Sequence, residues 1–370
     1  MAILIILFTT LCLAYANGAN DNFKGVATLF GSGTTHYRRA LGWATFTTFL
    51  GSITAVFLAE TLIESFSGKG LVSAELASTT EYGAAVALGA GLTVLIATWI
   101  GMPISTTHSL VGALIGAGWM AESAIKMEKL GSGFFLPLLV SPILAFGFSV
   151  VVYPCLTRAR KKLGVSSEVR FRAGNDVIEV HDGMSIREAL LRVEQLQAEI
   201  HQQVTFQNRY LGKVLGMQGG RLLDRLHFLS AGMVSFARGL NDTPKIAALL
   251  LLAPALGIFG STALIGIAIA LGGIVSAHRV AETMGKKITP MNHGQGFTAN
   301  FITSLIVIVA SCLALPVSTT HVSCGSLFGI GTITRQGHPS VMSKILAAWL
   351  MTLPLGAILG AVSYFVISSL

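Results

Sequence analysis

Three short words of this sequence occur twice, in the same order, once in each half. They are GAND and GLND at residues 18–21 and 239–242, AET at residues 59–61 and 281–283, and PISTTH and PVSTTH at residues 103–108 and 316–321. The second copy follows the first by 221, 222 and 213 residues, a nearly constant offset that chance does not produce. The chain is therefore an internal duplication, and its fold is one that two similar halves build together.

Apolar residues dominate both halves. Of the 370 residues, 52% are hydrophobic and 11% are charged, whereas about 25% are charged in soluble proteins. This composition excludes a soluble enzyme and a disordered chain. Apolar runs of roughly bilayer-crossing length occur five times in each half, at about 2–30, 40–60, 82–102, 104–119 and 134–156, and at about 227–256, 258–281, 295–315, 316–331 and 341–369. The sequence thus predicts an all-α polytopic membrane protein.

A hydrophilic insert separates the two halves. It holds 12 of the 25 basic and 8 of the 17 acidic residues. We expect a first transmembrane repeat over 1–156, the insert over 157–226 and a second transmembrane repeat over 227–370. The stretch SIREALLRVEQLQAEIHQQV predicts an amphipathic helix within a solvated linker, with a regulatory or lipid-binding role as the alternative. Basic residues outside the insert form no patch, so no nucleic-acid partner is expected.

The orientation in the membrane follows from the number of segments and from the basic residues. Five segments per half make the second copy enter from the opposite side, which predicts two inverted-topology repeats. A cytoplasmic insert places six basic residues in short cytoplasmic loops: Arg38, Arg39, Arg279, Lys286, Lys287 and Arg335. Because cytoplasmic loops are rich in Lys and Arg, we expect a plasma (inner) membrane protein with its central loop cytoplasmic and both termini outside.

The two PxSTTH words are the clearest chemical signal. Each places a helix-breaking Pro between two apolar runs, which predicts a half-helix that begins inside the membrane with Ser105 or Ser318 as its N-cap. The free N–H groups and the positive dipole end of such a start favour an anion. Neutral hydroxyl donors come from Thr106, Thr107, Thr319 and Thr320. We predict broken helices or helical hairpins that meet at the membrane midplane, whereas the alternative is that these hydroxyls only satisfy kinked helices.

Asp21 and Asp242 lie in otherwise apolar segments that four residues are predicted to interrupt: Gly18, Gly25, Gly239 and Pro244. A carboxylate at that depth is costly and is therefore a candidate for function. With amide oxygens of Asn17, Asn20 and Asn241, the carboxylates predict a hard oxygen cage for Na⁺ or an acceptor for a proton.

Lys24 and Lys245 each follow an aspartate by three residues. Residues at that spacing are neighbours on a helix, so each lysine is also positioned to neutralise its aspartate. Such pairing is compatible with a function of the same aspartate.

GAND combined with PxSTTH, repeated around a hydrophilic loop, resembles the inorganic phosphate transporter (PiT) family of cation-coupled symporters. The resemblance implies an inverted-repeat fold, a homodimer, and no cofactor other than co-transported Na⁺ or H⁺. It implies phosphate bound by the STTH hydroxyls and amides with help from the Asn-Asp motifs, and cation sites beside it. Members typically read GANDxxN, whereas this chain has Lys24 and Lys245 at the second Asn. A charged lysine offers Na⁺ no lone pair, so proton coupling, with the two lysines as further candidates, stands beside Na⁺.

The sequence therefore predicts a membrane symporter of inorganic phosphate, surrounded by lipid, and not an enzyme. It predicts no transition metal, and places Na⁺, if that is the coupling ion, at Asn20, Asp21, Asn241 and Asp242. One alternative substrate is another tetrahedral oxyanion such as sulfate. A remote alternative is an intramembrane metallohydrolase with His108, His321 and the two aspartates as ligands, although no HExxH-like spacing occurs.

Overall fold

The computed structural model describes residues 2–58, 60–174, 176–250, 252 and 257–369. Two parts of the predictions lie outside these residues. They are Ala59, which begins the first AET word, and residues 251 and 253–256 of the predicted segment 227–256. The remaining predicted segments fall on helices within a few residues of the predicted bounds.

The first half is built from helices. They are α1 (Ala2–Asp21), a 3₁₀ turn (Lys24–Val26), α2 (Ala27–Gly31), α3 (Tyr37–Leu58), α4 (Glu60–Phe66), α5 (Ala74–Ala77), α6 (Thr80–Trp99), α7 (Thr106–Met120), α8 (Met127–Leu130), a π-helical turn (Gly131–Phe135) and α9 (Leu136–Lys162). The predicted segments of this half correspond to α1 with α2, α3, α6, α7 and α9.

The insert is a small folded unit, so the prediction of a solvated linker was wrong. Its strands are β1 (Ser166–Ala173), β2 (Asp176–Asp182), β3 (Val204–Leu211), β4 (Lys213–Val214) and β5 (Met217–Gln218), and its helix is α10 (Ile186–Ile200). The first three strands form an antiparallel sheet in the order β2-β1-β3, and β4 pairs with β5. The apolar face of α10, the predicted amphipathic helix, packs on Val169 and Phe171 of the sheet. Because charged residues alternate with these buried ones, the strands do not stand out by hydropathy.

The second half repeats the helical plan. Its elements are α11 (Gly219–Leu250), α12 (Gly257–Ser276), α13 (His278–Glu282), a π-helical turn (Thr283–Lys287), α14 (His293–Cys312), α15 (Thr319–Ile333) and α16 (Pro339–Ser368). Among the described residues, seven helical stretches are long and apolar enough to cross a membrane. The polytopic helical prediction is therefore confirmed, with the sheet confined to the insert.

Helices α7 and α15 are too short to cross. Each has 15 residues, which at 1.5 Å per residue gives about 22 Å, less than the roughly 30 Å of hydrocarbon in a bilayer. Both begin directly after the PxS sequences. They are half-helices, as the broken-helix prediction required.

The two halves pack into each other through glycines. A Cβ atom on Gly18 of α1 would lie 1.9 Å from the carbonyl oxygen of Ile269 in α12, and one on Gly239 of α11 would lie 2.1 Å from that of Thr48 in α3. Neither glycine interrupts its helix, so that prediction was wrong. Their missing side chains instead let backbones approach closely, as small residues do between membrane helices.

The half-helices also pack against helices of the opposite half through glycines. A Cβ atom on Gly116 of α7 would lie 1.8 Å from the carbonyl oxygen of Ala357 in α16, and one on Gly329 of α15 would lie 2.6 Å from that of Phe146 in α9. Each half-helix is thus packed against the last long helix of the opposite half. The duplication therefore builds one intertwined bundle.

The two Asn-Asp motifs differ in backbone. Helix α1 ends at Asp21, and the chain passes through the turn that contains Gly25 before it re-enters a helix. Helix α11 instead runs without a break through Pro244 to Leu250, so the predicted interruption of the second copy was wrong. A proline removes only one helical N–H donor, and surrounding helices make that loss tolerable in a membrane.

Candidate functional site

The starts of α7 and α15 have nearly identical geometry. Ser105 (φ −97°, ψ 113°) and Ser318 (φ −102°, ψ 114°) are both extended N-caps. Their hydroxyl oxygens accept hydrogen bonds from the backbone N–H of His108 at 3.1 Å and of His321 at 3.2 Å. The N-cap prediction is confirmed, and the two serine oxygens are used within their own helices.

The two turns are in direct contact with each other. The hydroxyl of Thr107 donates to the carbonyl oxygen of Val317 at 3.3 Å, and that of Thr320 donates to the carbonyl oxygen of Ile104 at 2.8 Å. Val317 and Ile104 are the residues immediately before the two N-cap serines. Each half-helix start is therefore hydrogen-bonded to the other, through buried groups.

Two lysines bridge the same turns. Lys24 Nζ donates to the Ile104 carbonyl and to Thr320 Oγ1, both at 2.7 Å. Lys245 Nζ donates to the Val317 carbonyl at 2.7 Å and to Thr107 Oγ1 at 2.8 Å. Each lysine thus binds the turn of its own half and the threonine of the other half.

Asp21 is tied to the first turn. Its Oδ1 is hydrogen-bonded by Lys24, and its Oδ2 accepts from Asn17 Nδ2 and from Thr106 Oγ1, both at 3.1 Å. Lys24 also donates to Asn20 Oδ1 at 2.8 Å. One ammonium group therefore contacts both oxygen donors of the first Asn-Asp pair.

Asp242 has a different set of partners. Its Oδ1 accepts from Asn241 Nδ2 at 3.1 Å and lies 3.5 Å from Lys245 Nζ. Its Oδ2 accepts from Asn17 Nδ2 at 3.3 Å and lies 3.6 Å from Arg238 Nε. Because Asn17 Nδ2 contacts both aspartates, the two carboxylates converge on one amide. Asn241 also donates to Thr319 Oγ1 at 3.3 Å, which ties the second motif to the second turn.

Arg238 belongs to this site and was missed in the sequence. It is 1% exposed, and its guanidinium donates to Asn17 Oδ1 at 2.6 Å and to Asn22 Oδ1 at 3.1 Å. The offset of 221 residues places it at the position equivalent to Asn17. A charged residue three positions before Asn241 in an apolar run was the signal that could have identified it.

The site therefore contains three basic and two acidic side chains. Lys24, Lys245 and Arg238 face Asp21 and Asp242, and each of the five is at most 3% exposed. With all five ionised, the cluster has one net positive charge in a region of low dielectric constant. Such a cluster favours a monovalent anion, and its carboxylates are proton acceptors.

The metallohydrolase alternative is not supported by the geometry. His108 and His321 pair with each other, with ring centroids 4.4 Å apart, and His321 stacks on Trp349 at 3.8 Å. Within the described ranges, no three His, Cys, Asp or Glu side chains form a group that could hold a metal ion. The four oxygen donors suggested for Na⁺ fall into two pairs, one beside each lysine: Asn20 with Asp21 and Asn241 with Asp242.

Comparisons with known proteins agree with the motifs. The model of the Phosphate transporter family matches residues 17–360. A protein of Pyrococcus abyssi described as a candidate phosphate permease is 28% identical over 98% of this chain and 97% of its own length. The chloroplastic inorganic phosphate transporter 2-1 of Arabidopsis thaliana is 27% identical over 95% of this chain and 69% of its own length. The solved structure of a sodium-dependent phosphate transporter matches with a TM-score of 0.76 and 25% identity, covering 100% of this chain and 99% of that one.

Proposed function

The chain belongs to the phosphate transporter family, and on this premise we propose that it moves inorganic phosphate across the plasma membrane by symport with a cation. The family confirms the resemblance drawn from the motifs, and its members are transporters and not enzymes. One observation carries the proposal for this chain. The starts of α7 and α15 are joined by the reciprocal bonds from Thr107 to Val317 and from Thr320 to Ile104.

The proposed phosphate ligands are the four threonines and the free N–H groups at the two half-helix starts: Thr106, Thr107, Thr319 and Thr320. Ser105 and Ser318 act as caps that fix the geometry of these groups, because their oxygens accept bonds from the helices. To bind the oxyanion, Thr106, Thr107 and Thr320 exchange the bonds that they donate to Asp21, Val317 and Ile104 for bonds to the anion. These neutral donors add no further charge. A cluster with one net positive charge balances dihydrogen phosphate without trapping it, so the ion can be released.

The lysines favour H⁺ over Na⁺ as the coupling cation. Lys24 Nζ binds Asp21 Oδ1, Asn20 Oδ1 and the Ile104 carbonyl. These are the oxygen ligands that a Na⁺ ion beside Asp21 would need, and an ammonium group competes for all of them. Protonation of an aspartate needs no such ligand set. The relative described as sodium-dependent makes Na⁺ the alternative to be tested.

The proposed transport cycle uses the duplication. We infer that the two halves are inverted-topology repeats, because reciprocal hydrogen bonds join the starts of α7 and α15, and that they rock against each other around a fixed site. The count of five crossing segments per half does not support this inference, since α7 and α15 are too short to cross. At the glycine contacts of α1 with α12 and of α11 with α3, the backbones approach closely without an intervening side chain, which suits such a motion. The proposed orientation has the insert in the cytoplasm and both termini outside, and the proposed assembly is a homodimer.

Uptake of radiolabelled phosphate into proteoliposomes tests substrate and coupling together. We expect accumulation driven by an inward proton gradient without Na⁺, and little competition from excess sulfate. Accumulation that requires Na⁺ would overturn the proton assignment, and full competition by sulfate would overturn the phosphate assignment. The variant Thr107→Val with Thr320→Val should raise the half-saturating phosphate concentration, whereas Thr54→Val, whose hydroxyl bonds only within its helix, is the matched control.

The lysines can be tested by restoring the pattern that is typical of the family. Lys24→Asn with Lys245→Asn replaces both ammonium groups by amide oxygens. We expect phosphate uptake by this variant to become dependent on Na⁺. If the double variant stays independent of Na⁺ while transporting phosphate, the lysines do not decide the coupling ion.

A further inference from the structure

A cavity of about 480 Å³ lies where the insert meets the membrane helices. Its wall is formed by the end of α9, the start of α11, the start of α14, the residues that follow α15, and strand β3 of the insert. It is separate from the site between the half-helices, because the two share no residue. A volume of this size is typical of pockets that bind small molecules.

The polar part of the cavity is cationic and incompletely satisfied. The Arg160 guanidinium lies 4.8 Å from the centroid of the Tyr210 ring. Among the described residues, the buried atoms Arg160 Nε and Asn208 Oδ1 have no hydrogen-bond partner, and neither Arg160 nor Lys161 forms an ion pair. The described lining contains no Asp or Glu. The side chain of Arg160 is partly buried, and an anionic partner in the cavity offsets the hydration that its Nε has lost.

Part of the lining is apolar and belongs to a helix that is able to cross the bilayer. Leu156, Leu163 and Leu226 line the cavity, and Leu163 and Leu226 remain 59% and 37% exposed. Helix α9 is part of a stretch long and apolar enough to cross the bilayer. Its end carries four basic residues: Arg158, Arg160, Lys161 and Lys162. Basic pockets between helices at this level of a membrane protein suit lipid phosphates.

We propose that this cavity binds an acidic phospholipid. The phosphate lies against Arg160 and Lys161, and an acyl chain follows the leucines toward the bilayer. The same cavity is lined by Leu226 of α11, which carries Asp242, and by Gln336, which follows α15 and accepts a hydrogen bond from Gln295 at 3.2 Å. The lipid therefore joins the insert to two elements of the transport site, and we expect it to stabilise their arrangement.

Binding can be measured on the full chain without any transport assay. Purified protein in detergent is titrated with phosphatidylglycerol or phosphatidylcholine, and bound lipid is followed by native mass spectrometry and by the melting temperature. We expect phosphatidylglycerol alone to bind and to raise the melting temperature. Arg160→Gln should weaken this binding about tenfold, the typical effect of losing a charge-assisted hydrogen bond. Arg158→Gln is the matched control, because Arg158 is on the same helix end but does not line the cavity.

A second variant keeps the proposal testable if Arg160→Gln does not fold. Met184→Trp fills the cavity from the insert side while it leaves Arg160 in place, and it should also abolish lipid binding. Equal binding of both lipids, or unchanged binding by Arg160→Gln and Met184→Trp, would overturn the proposal. Equal protection by glycerol phosphate or inorganic phosphate would also overturn it and would reassign the cavity to a soluble phosphate compound.

Discussion

The two Asn-Asp motifs are copies of one another that differ in how their charges are balanced. Asp21 is paired with one cation, Lys24, whereas Asp242 lies between two, with Lys245 at 3.5 Å and Arg238 at 3.6 Å. Asn17 holds the position in the first half that Arg238 holds in the second, and the two side chains are hydrogen-bonded. The duplication thus provides the same Asn-Asp motif twice. The difference between Asn17 and Arg238 at the equivalent position makes the two carboxylates inequivalent.

The backbone adds to this difference. Lys24 lies in the 3₁₀ turn after α1 ends, whereas Lys245 is inside the continuous helix α11. Both ammonium groups nevertheless bind equivalent atoms, a carbonyl of their own turn and a threonine of the opposite turn. The positions of the charged groups are therefore set by the contact between the two turns more than by the local helix.

The largest loss of stability is expected from neutralising Asp242, whose carboxylate lies near both Lys245 and Arg238. Asp242→Asn removes the carboxylate that lies within 4 Å of two buried cations, and removing one partner of a buried ion pair costs about 3–5 kcal/mol. Asp21→Asn removes the carboxylate of one close ion pair, that with Lys24, and should be less destabilising, although both variants should lose gradient-driven uptake. Melting temperatures in detergent compare the two. Equal destabilisation would show that Arg238 does not distinguish the aspartates.

Arg238→Asn makes the second motif resemble the first. The change leaves Asn17 and Asn22 without their buried donor, at a cost of about 2–4 kcal/mol, and removes the net positive charge of the cluster. We expect phosphate uptake to fall at least tenfold, and Arg238→Lys to retain part of it because it keeps the charge. Uptake by Arg238→Asn at the wild-type rate would exclude Arg238 from the site.

The glycine contacts test whether the halves pack equivalently. Gly18→Ala and Gly239→Ala each push a methyl group into a neighbouring carbonyl, and overpacking of this kind costs about 1–3 kcal/mol. Gly42→Ala is the control on a helix, because a Cβ there meets nothing within 4 Å. It should leave the melting temperature unchanged or slightly raised. A similar loss in all three variants would mean that the close crossings are not responsible.

A half-buried ion pair on the insert is expected to have the smallest effect on stability. Hydrogen bonds from Arg192 hold the pKa of Glu179 at about 2, below its ordinary 4.5. Because the folded pKa is lowered, the pair stabilises the insert above pH 4.5, and this contribution is lost as the pH falls toward 2. Glu179→Gln should lower the melting temperature at pH 7 by no more than about 2 °C. A larger drop would show that this ion pair contributes as much to stability as a buried ion pair does.

Several features of this protein follow from short stretches of sequence. The apolar runs, the prolines at residues 103 and 316, and the serines after them gave the helices, the half-helix starts and the N-caps, because these depend on neighbouring residues. The contact of the two Ser-Thr-Thr turns was also predicted, on the expectation that two oppositely oriented copies place their half-helix starts together.

Other features depend on contacts between distant residues and were decided only by the tertiary structure. Gly18 and Gly239 were expected to break helices but serve as contact points, because the carbonyls they approach belong to helices of the other half. Pro244 is tolerated in α11 since neighbouring helices surround it. Arg238 belongs to the site because it donates a hydrogen bond to Asn17, which lies 221 residues earlier in the chain. Local chemistry determined where helices begin and end, and packing between the halves determined which charges face each other.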